Sequence, residues 1–528
     1  MNGFYLNIYL QRSVRCIILT GFFLFFLSLF YFTLPKHSFV KLRFDDDSLK
    51  PSDRFENLFW FIQISDIHIS IHHDPKRVSD LKDFLQTSVD VINPSLILAT
   101  GDLIDAKSKD GFSTQANLEE WRTYYSLLHD TNIEAKIPWL DLRGNHDCFD
   151  VKHRNHESNG FRKYSAMGNK QNLGSYMYVH NTDFGTYSFI GIDACPKPGL
   201  KRPFNFFGVL TDRDIAELRL MARSTVSHNY TIWFSHYPTT TLAVNYNTAL
   251  RPAIETTNTL AYLCGHLHHL GGLSYTMYTR QPEGHMELEL ADWKVNRRYR
   301  IMAIDHDLAS FIDANYLEWP VILVTNPKES SLSAPIVEPL IRMKFSTHIR
   351  ILIFSPYFIE SVFARIDGKI LKDHGRHIKG PLFAIPWNPK DYAQGSHKIH
   401  VEVTSLGKIT SVTSSFSMDE QIPLYSIISN YILSSHLPSL VFYLFCIVWV
   451  SFIILIVILL FGPIEIFNIP CFYWTRSIKQ YPRVAWNSQH PTFTLRRQES
   501  AALTHKLQLE GYIQFCWVRM FGKISSSA

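Results

Sequence analysis

Arg143-Gly144-Asn145-His146-Asp147 directly follows the apolar run Pro138-Trp139-Leu140-Asp141-Leu142. A run of that length and composition is strand-like. It ends on a glycine followed by side chains that bind cations or move protons. The same punctuation recurs on both sides. Leu58-Phe59-Trp60-Phe61-Ile62-Gln63-Ile64 leads into Ser65-Asp66-Ile67-His68, and Leu96-Ile97-Leu98-Ala99-Thr100 leads into Gly101-Asp102. Downstream, Thr231-Ile232-Trp233-Phe234 leads into Ser235-His236, and Leu260-Ala261-Tyr262-Leu263-Cys264 into Gly265-His266-Leu267-His268. Helix-like stretches lie between, at Val78 to Val91, Leu118 to Leu128 and Asp212 to Arg223. Strand, polar cluster, helix, strand is the order of α/β layers, whose sites form at the carboxyl ends of the strands.

The side chains that end these runs suit a two-metal site. Asp66, Asp102 and Asn145 offer oxygens; His68, His236, His266 and His268 offer nitrogens. Mixed oxygen and nitrogen donors suit Zn, Mn or Fe better than Ca or Mg. Asp66-x-His68 and His266-x-His268 alternate, so each pair is expected to reach one side of an extended turn. Gly101, Gly144 and Gly265 precede candidate ligands, where the chain must turn sharply. Two carboxylates against two divalent ions leave net positive charge, which suits a phosphate ester. The chain has 24 histidines, so a lone His-x-His says little. The signal is the ordered set, each member ending an apolar run.

These blocks resemble, over about 57–330, the five signature blocks of the calcineurin-like metallophosphoesterases. The resemblance implies an α/β fold, an αββα sandwich with two central sheets. It implies that Asp66, His68 and His268 hold one metal, Asn145, His236 and His266 the other, and that Asp102 bridges them. A metal-bound hydroxide then attacks phosphorus in line. His146, not a ligand in that family, would serve the leaving oxygen. Asp105, three residues after Asp102, would pair with His146 and keep it charged. Aspartate at that position argues against a purple, tyrosinate-bound iron enzyme. The stretches Gly191-Ile192-Asp193-Ala194 and Lys197 to Gly208 further resemble the eukaryotic transmembrane protein 62 group. Members of that group continue with several more membrane helices, so a shortened form is expected here.

Around the blocks, Arg154, Arg162 and Lys163 are candidate binding residues for a second phosphate or an anionic head group. Lys197 to Phe207 mixes basic residues with Pro and Phe and is expected to be a packed loop, with a membrane surface as the other reading. Cys148, Cys195 and Cys264 allow one internal bridge at most. Cys148 and Cys264 each neighbour a ligand block, with a bridge between them as one option and free buried thiols as the default. Residues 333–420 alternate as strands at Arg350–Phe354, Ser361–Ile366 and His397–Val403, with turn signals at Asp367-Gly368 and Leu406-Gly407. They are expected to form a small immunoglobulin-like β-sandwich.

Two apolar segments flank this body. Residues 16–34 lack charge and are long for a signal core, so a signal anchor is expected. Residues 440–461 are apolar throughout. The tail 463–528 holds eight Lys/Arg against three Asp/Glu, while the body is near neutral. That pattern places the tail and residues 1–15 in the cytosol and the body in a lumen or outside. It also excludes a nucleic-acid binder, which would spread basic charge over the body. Asn229-Tyr230-Thr231 is one glycosylation sequon on that side. The expectation is therefore a membrane-anchored binuclear phosphoesterase for phosphomonoesters or phosphodiesters, extending by location to lipid-linked ones. The rival reading is a silent scaffold or receptor that keeps the fold to bind partners.

Overall fold

The computed structural model describes residues 49–170, 174–244, 249–419 and 426–461. The expected anchor at 16–34, the N-terminus and the basic tail at 463–528 lie outside the described residues. Three expected apolar runs form β1 (Leu58–Ile64), β2 (Ile97–Ala99) and β3 (Trp139–Asp141), which pair in parallel. The next six strands are β4 (Tyr176–Thr182), β5 (Gly185–Ile192), β6 (Tyr230–Ser235), β7 (Thr259–Cys264), β8 (Met277–Arg280) and β9 (Met286–Glu289). They make a second sheet, ordered β4-β5-β6-β7-β9-β8. The chain then returns through β10 (Arg298–Asp305) and β11 (Leu308–Asn315) to complete the first, ordered β11-β10-β1-β2-β3.

Alternation along the strands explains why these sheets stack. On β1, Phe59 meets Tyr187 at 4.7 Å and Phe61 meets Phe189 at 5.2 Å between ring centroids. On the opposite face of β1, the Trp60 indole donates to the Ile92 carbonyl, at the end of a helical segment. That segment is α1 (Lys76–Asp83), continued through one π turn to Ile92. Asn117 caps α2 (Leu118–Thr131) through the amides of Glu119 and Glu120, and Thr211 with Asp214 makes a capping box for α3 (Asp212–Ser224). Ile215, Leu218 and Ala222 of α3 pack with Ile190, Ile192 and Trp233, on the outer face of the second sheet. The result is helix, sheet, sheet, helix. The Gln63 amide donates to the Cys264 carbonyl at 3.1 Å, so β1 and β7 end side by side.

The second domain is a β-sandwich. Its strands are β12 (Val321–Asn326), β13 (His348–Phe354), β14 (Ile359–Ile366), β15 (Lys369–Ile370), β16 (Arg376–Lys379), β17 (Leu382–Pro386), β18 (Ser396–Ser405) and β19 (Lys408–Ser417). The sheets are β12-β13-β17-β16 and β15-β14-β18-β19. Both expected hairpin turns form, with φ of 49° and 79° at Asp367-Gly368 and 50° and 68° at Leu406-Gly407. One boundary differs from expectation. Val321 to Asn326 pairs with β13, so this sheet starts before 333, inside the stretch assigned to the first domain. The run reads like the others in composition, and only its pairing reveals its owner.

Two helices follow, α4 (Ile427–Ser434) and α5 (Leu437–Phe461). Within α5, Leu437–Ile456 is long and apolar enough to cross a membrane. The sequon asparagine is half-buried: Asn229 accepts from the Thr186 amide at 3.2 Å, and its own amide donates to Asp307 at 3.4 Å.

A buried ion pair joins the two domains. Arg350 of β13 donates to Asp305 of β10 at 2.8 Å and to the carbonyls of Ser52 and Arg54 at 2.7 Å. Arg350→Met would leave Asp305 buried without its cation, a loss of about 3–5 kcal/mol. Chemical denaturation of the variant should show its midpoint shifted down by a corresponding amount.

Candidate metal centre

Every expected ligand lies at the common end of the two sheets. Asp66 and His68 follow β1, Asp102 follows β2, Asn145 follows β3, His236 follows β6, and His266 and His268 follow β7. The expectation of extended turns fails. Asp66, His68, Asp102, His266 and His268 have φ of 53°, 52°, 51°, 78° and 49°. These are left-handed conformations that cost non-glycine residues energy and cluster at functional sites. Glycine before the ligands matters for closeness as well as for turning. Gly101 has φ of 83°, and a Cβ there would come within 2.7 Å of the Gly144 nitrogen. A Cβ on Gly144 would lie 2.1 Å from Asp102 Oδ1.

The ligand atoms fall into two sets that meet at Asp102. In one, His268 Nε2 stands 2.9 Å and His68 Nε2 3.8 Å from Asp66 Oδ1, and His68 Nε2 is 3.4 Å from Asp102 Oδ2. In the other, His236 Nε2, His266 Nδ1 and Asn145 Oδ1 form a triangle with edges of 3.0, 3.0 and 3.1 Å. His236 Nε2 is also 3.3 Å from Asp102 Oδ1. Ligand bonds of about 2.0–2.2 Å put neighbouring donor atoms roughly 3 Å apart around one ion, a spacing that most of these distances match.

Protonation agrees. His236 Nδ1 donates to the Thr100 carbonyl at 3.0 Å, which leaves Nε2 as a lone pair. Burial lowers the His236 pKa to about 4 and, with His236 nearby, holds His266 well below its ordinary value. Both rings are therefore neutral, as ligands must be. Burial, then the charge of Asp66, pushes Asp102 well above the carboxylate range. Burial also opposes ionisation of Asp66, but His268 outweighs it and keeps that carboxylate well below the usual range. Asp66 Oδ1, His68 Nε2 and His266 Nε2 are buried without a hydrogen bond. Crowded lone pairs and orphaned donors fit divalent cations. Three overlapping groups can hold a metal: Asp66, His68 and His268; His68, Asp102 and His146; Asp66, Asp102 and His236.

The Asp105 carboxylate lies 3.7 Å from His146 Nδ1, a looser contact than the one Asp105 makes with His68. The carboxylate meets His68 Nδ1 at 3.1 Å, whereas His146 Nδ1 donates to the Asp105 backbone carbonyl at 2.5 Å. Burial, then His68, pulls the His146 pKa below its usual value, while Asp105 pulls it up. The expected binding residues are occupied elsewhere. Arg154 donates to Asp214 at 3.0 Å, Arg162 to the Asn155 carbonyl at 2.9 Å, and the Lys163 ammonium lies 5.2 Å from the Tyr164 ring centre. One internal bridge forms, but Cys148 bonds Cys195 rather than Cys264, which is the buried free thiol expected by default. The bridge ties the turn after His146 to the end of β5, a meeting of the two sheets that spacing along the chain does not reveal.

Sequence reading missed Lys107 and Lys294, whose ammonium groups lie 3.5 and 3.7 Å from Asp105 Oδ1. It also missed Asp292, 3.5 Å from His268 Nδ1. Met286–Glu289 reads Met-Glu-Leu-Glu, with no apolar run before Asp292-Trp293-Lys294 to mark it as the others are marked.

With this geometry established, similarity to known proteins becomes decisive. Residues 59–270 match the family described as calcineurin-like phosphoesterase. The chain carries a calcineurin-like phosphoesterase domain. Residues 317–422, which include β12, match the TMEM62 Ig-like domain. The chain is 44% identical over 373 residues to "Transmembrane protein 62" of Mus musculus, covering 70% of this chain and 57% of that protein. It is 30% identical over 428 residues to "Putative metallophosphoesterase At3g03305" of Arabidopsis thaliana, covering 67% of this chain and 57% of that one. The chain thus spans a little over half the length of these relatives. Among solved structures, GAP50, the anchor in the inner membrane complex of Plasmodium, aligns over 50% of this chain and 86% of its own. Its TM-score is 0.31 at 11% identity, too slight to build on.

The Asp105–His68 contact in the phosphoesterase domain generates a prediction. Asp105→Asn should weaken Mn or Zn binding about 10–100-fold, because a carboxylate behind a ligand histidine orients it and raises its basicity. Titration of the metal-stripped protein measures this. Unchanged affinity with a lowered rate would return Asp105 to the role of a partner for His146.

Proposed function

We propose that this protein is a membrane-anchored phosphoesterase that hydrolyses phosphomonoesters or phosphodiesters with two divalent ions, Mn, Fe or Zn. The carrying observation is the triangle of His236 Nε2, His266 Nδ1 and Asn145 Oδ1. The Thr100 carbonyl holds the His236 tautomer that turns a lone pair into it. His236 Nε2 and Asn145 Oδ1 are two acceptors 3.0 Å apart, and acceptors that close repel one another unless a cation lies between them. In this reading, Asn145, His236 and His266 hold one ion, Asp66, His68 and His268 hold the other, and Asp102 serves both. Such ions neutralise charge on a phosphate ester and activate water.

The chain's own residues do the rest. Asp105 holds His68 from behind, and Asp292 stands behind His268. His146 commits its Nδ1–H to the Asp105 carbonyl, so Nε2 is the nitrogen free to act, and it would serve the leaving oxygen as an acid once the ring has taken up a second proton. Its backbone amide also donates to Asp102 Oδ1 at 2.8 Å, which fixes ring and carboxylate together. The Cys148–Cys195 bond supports a lumenal or exterior body, since disulfides persist in oxidising compartments. α5 would anchor that body, and lipid-linked phosphates would then lie within reach.

The test is a paired rate assay on the chain in detergent or nanodiscs, with a phosphomonoester and a phosphodiester, with and without Mn or Zn. Asp102→Ala and His146→Ala should each lower kcat at least about 10²-fold. Chelation should abolish turnover, and added metal should restore it. No metal-dependent turnover in folded protein that binds two ions would favour a binding role for the fold. The disulfide supplies a separate check of compartment. Cys148 and Cys195 should resist maleimide until reduced, and Cys148→Ser should cost about 2–4 kcal/mol of stability.

A further inference from the structure

Helix α4 is built to be held on one side only. Ser429 and Leu433, four residues apart and hence on one face, are buried. Leu433 packs with Met277 and with Leu267, which stands between the candidate ligands His266 and His268. Gln281 donates to the Leu433 carbonyl at 3.1 Å, and Thr279 to Asn430 at 2.6 Å. The His436 ring donates to the carbonyls of Leu242 and Val244 at 3.0 Å each. The helix therefore cannot swing away from the metal end of the second sheet without breaking these contacts.

Its outer face is apolar and open. Ile427 is 87% exposed, and Ile428 and Tyr431 are exposed beside it. Residues 426–461 contain no Asp, Glu, Lys or Arg. A helix facing water would carry charge on that face. The neighbouring tip, on the loop after His268, repeats the pattern. Leu273 and Tyr275 are each 84% exposed, while Ser274 between them is buried and bonded to Ser429 of α4 at 3.2 Å. In the sheet register, Met277 stands across from Glu289, and Glu289 from Cys264. The loop before β8 thus emerges at the same end of the sheet as the metal loop.

Continuity of the chain names the occupant. α5 begins at Leu437, three residues after α4 ends, a distance of at most about 11 Å. α4 itself spans only about 12 Å. Ile427, Ile428 and Tyr431 therefore lie within about 23 Å of the start of α5, and they reach the head-group boundary when α4 lies along the membrane surface. Apolar and tyrosine side chains belong there. We propose that α4 and the Leu273–Tyr275 tip form one lipid-contacting surface, resting in the head-group boundary of the bilayer that holds α5 and keeping the mouth of the metal centre at the lipid surface. The consequence for substrate, an ester presented by the membrane rather than by bulk water, rests on the phosphoesterase reading.

The test uses the full chain in phosphatidylcholine nanodiscs containing a radiolabelled lipid. A photo-crosslinking benzophenone amino acid is placed at position 273, 275 or 427. A control carries it at Val226, which is exposed at the far end of β6. Lipid adducts at the three sites, several-fold above position 226, are the expected result. Equal labelling at all four positions, no lipid adduct, or crosslinks to a second protein chain would overturn the proposal. These positions are open to solvent in the fold, so the substitutions do not disturb packing. The readout needs no turnover, so its failure would be distinct from a failure of the phosphoesterase reading.

Discussion

One carboxylate joins the two halves of the first domain. Asp102 leaves β2 of the first sheet, with Oδ2 3.4 Å from His68 on the same sheet's loops and Oδ1 3.3 Å from His236 on the second sheet's. Asp102 can stand there because Gly101 and Gly144 have no side chains. The Gly101 backbone passes against Gly144 and His236, and Gly144 passes against Asp102 itself. The aromatic contacts between β1 and β5 set the sheets at this separation. If the sheets shifted by a fraction of a side chain, the two sets of donors would no longer share an atom.

Holding like groups this close requires support from outside the centre. Positive φ at five candidate ligands stores backbone strain, which persists only where the surroundings over-determine it. The supports are identifiable. Asp147 accepts the amides of Leu103, Ile104 and Gly144, binding the loops after β2 and β3 to each other. Cys148–Cys195 ties the loop after β3 to the second sheet. Leu433 of α4 presses on Leu267 in the most strained loop, where His268, His269 and Leu270 follow one another at positive φ. The segment leading into the apolar helix is therefore part of the scaffold of the metal centre.

The β-sandwich is attached with similar firmness. Arg350 and Asp305 are fully buried, and Thr325 of β12 shares Asp305 Oδ2 at 2.6 Å. Arg350 also holds the chain entering the first domain, through the carbonyls of Ser52 and Arg54. A buried pair with every partner placed favours one relative arrangement over many, because any other leaves a charge without a counter-charge.

The sequence by itself determined most of the strands, the helices between them and the candidate metal ligands. Each of those follows from local chemistry: apolar runs of strand length, and ligand-type side chains immediately after them. It also determined the turns at Asp367-Gly368 and Leu406-Gly407, which need only two residues of permissive backbone. The tertiary structure alone decided which distant groups meet. Cys148 faces Cys195 because β5 ends opposite β3, although Cys264 looked as plausible along the chain. Asp105 sets its carboxylate nearer to His68, at 3.1 Å, than to His146, at 3.7 Å, and gives His146 its carbonyl as well. Arg154 pairs with Asp214, far from it in sequence. Val321–Asn326 joins the second domain because β13 pairs with it there. Composition can announce a strand or a ligand, but a partner is chosen by packing, and packing depends on residues that the chain brings together only when it folds.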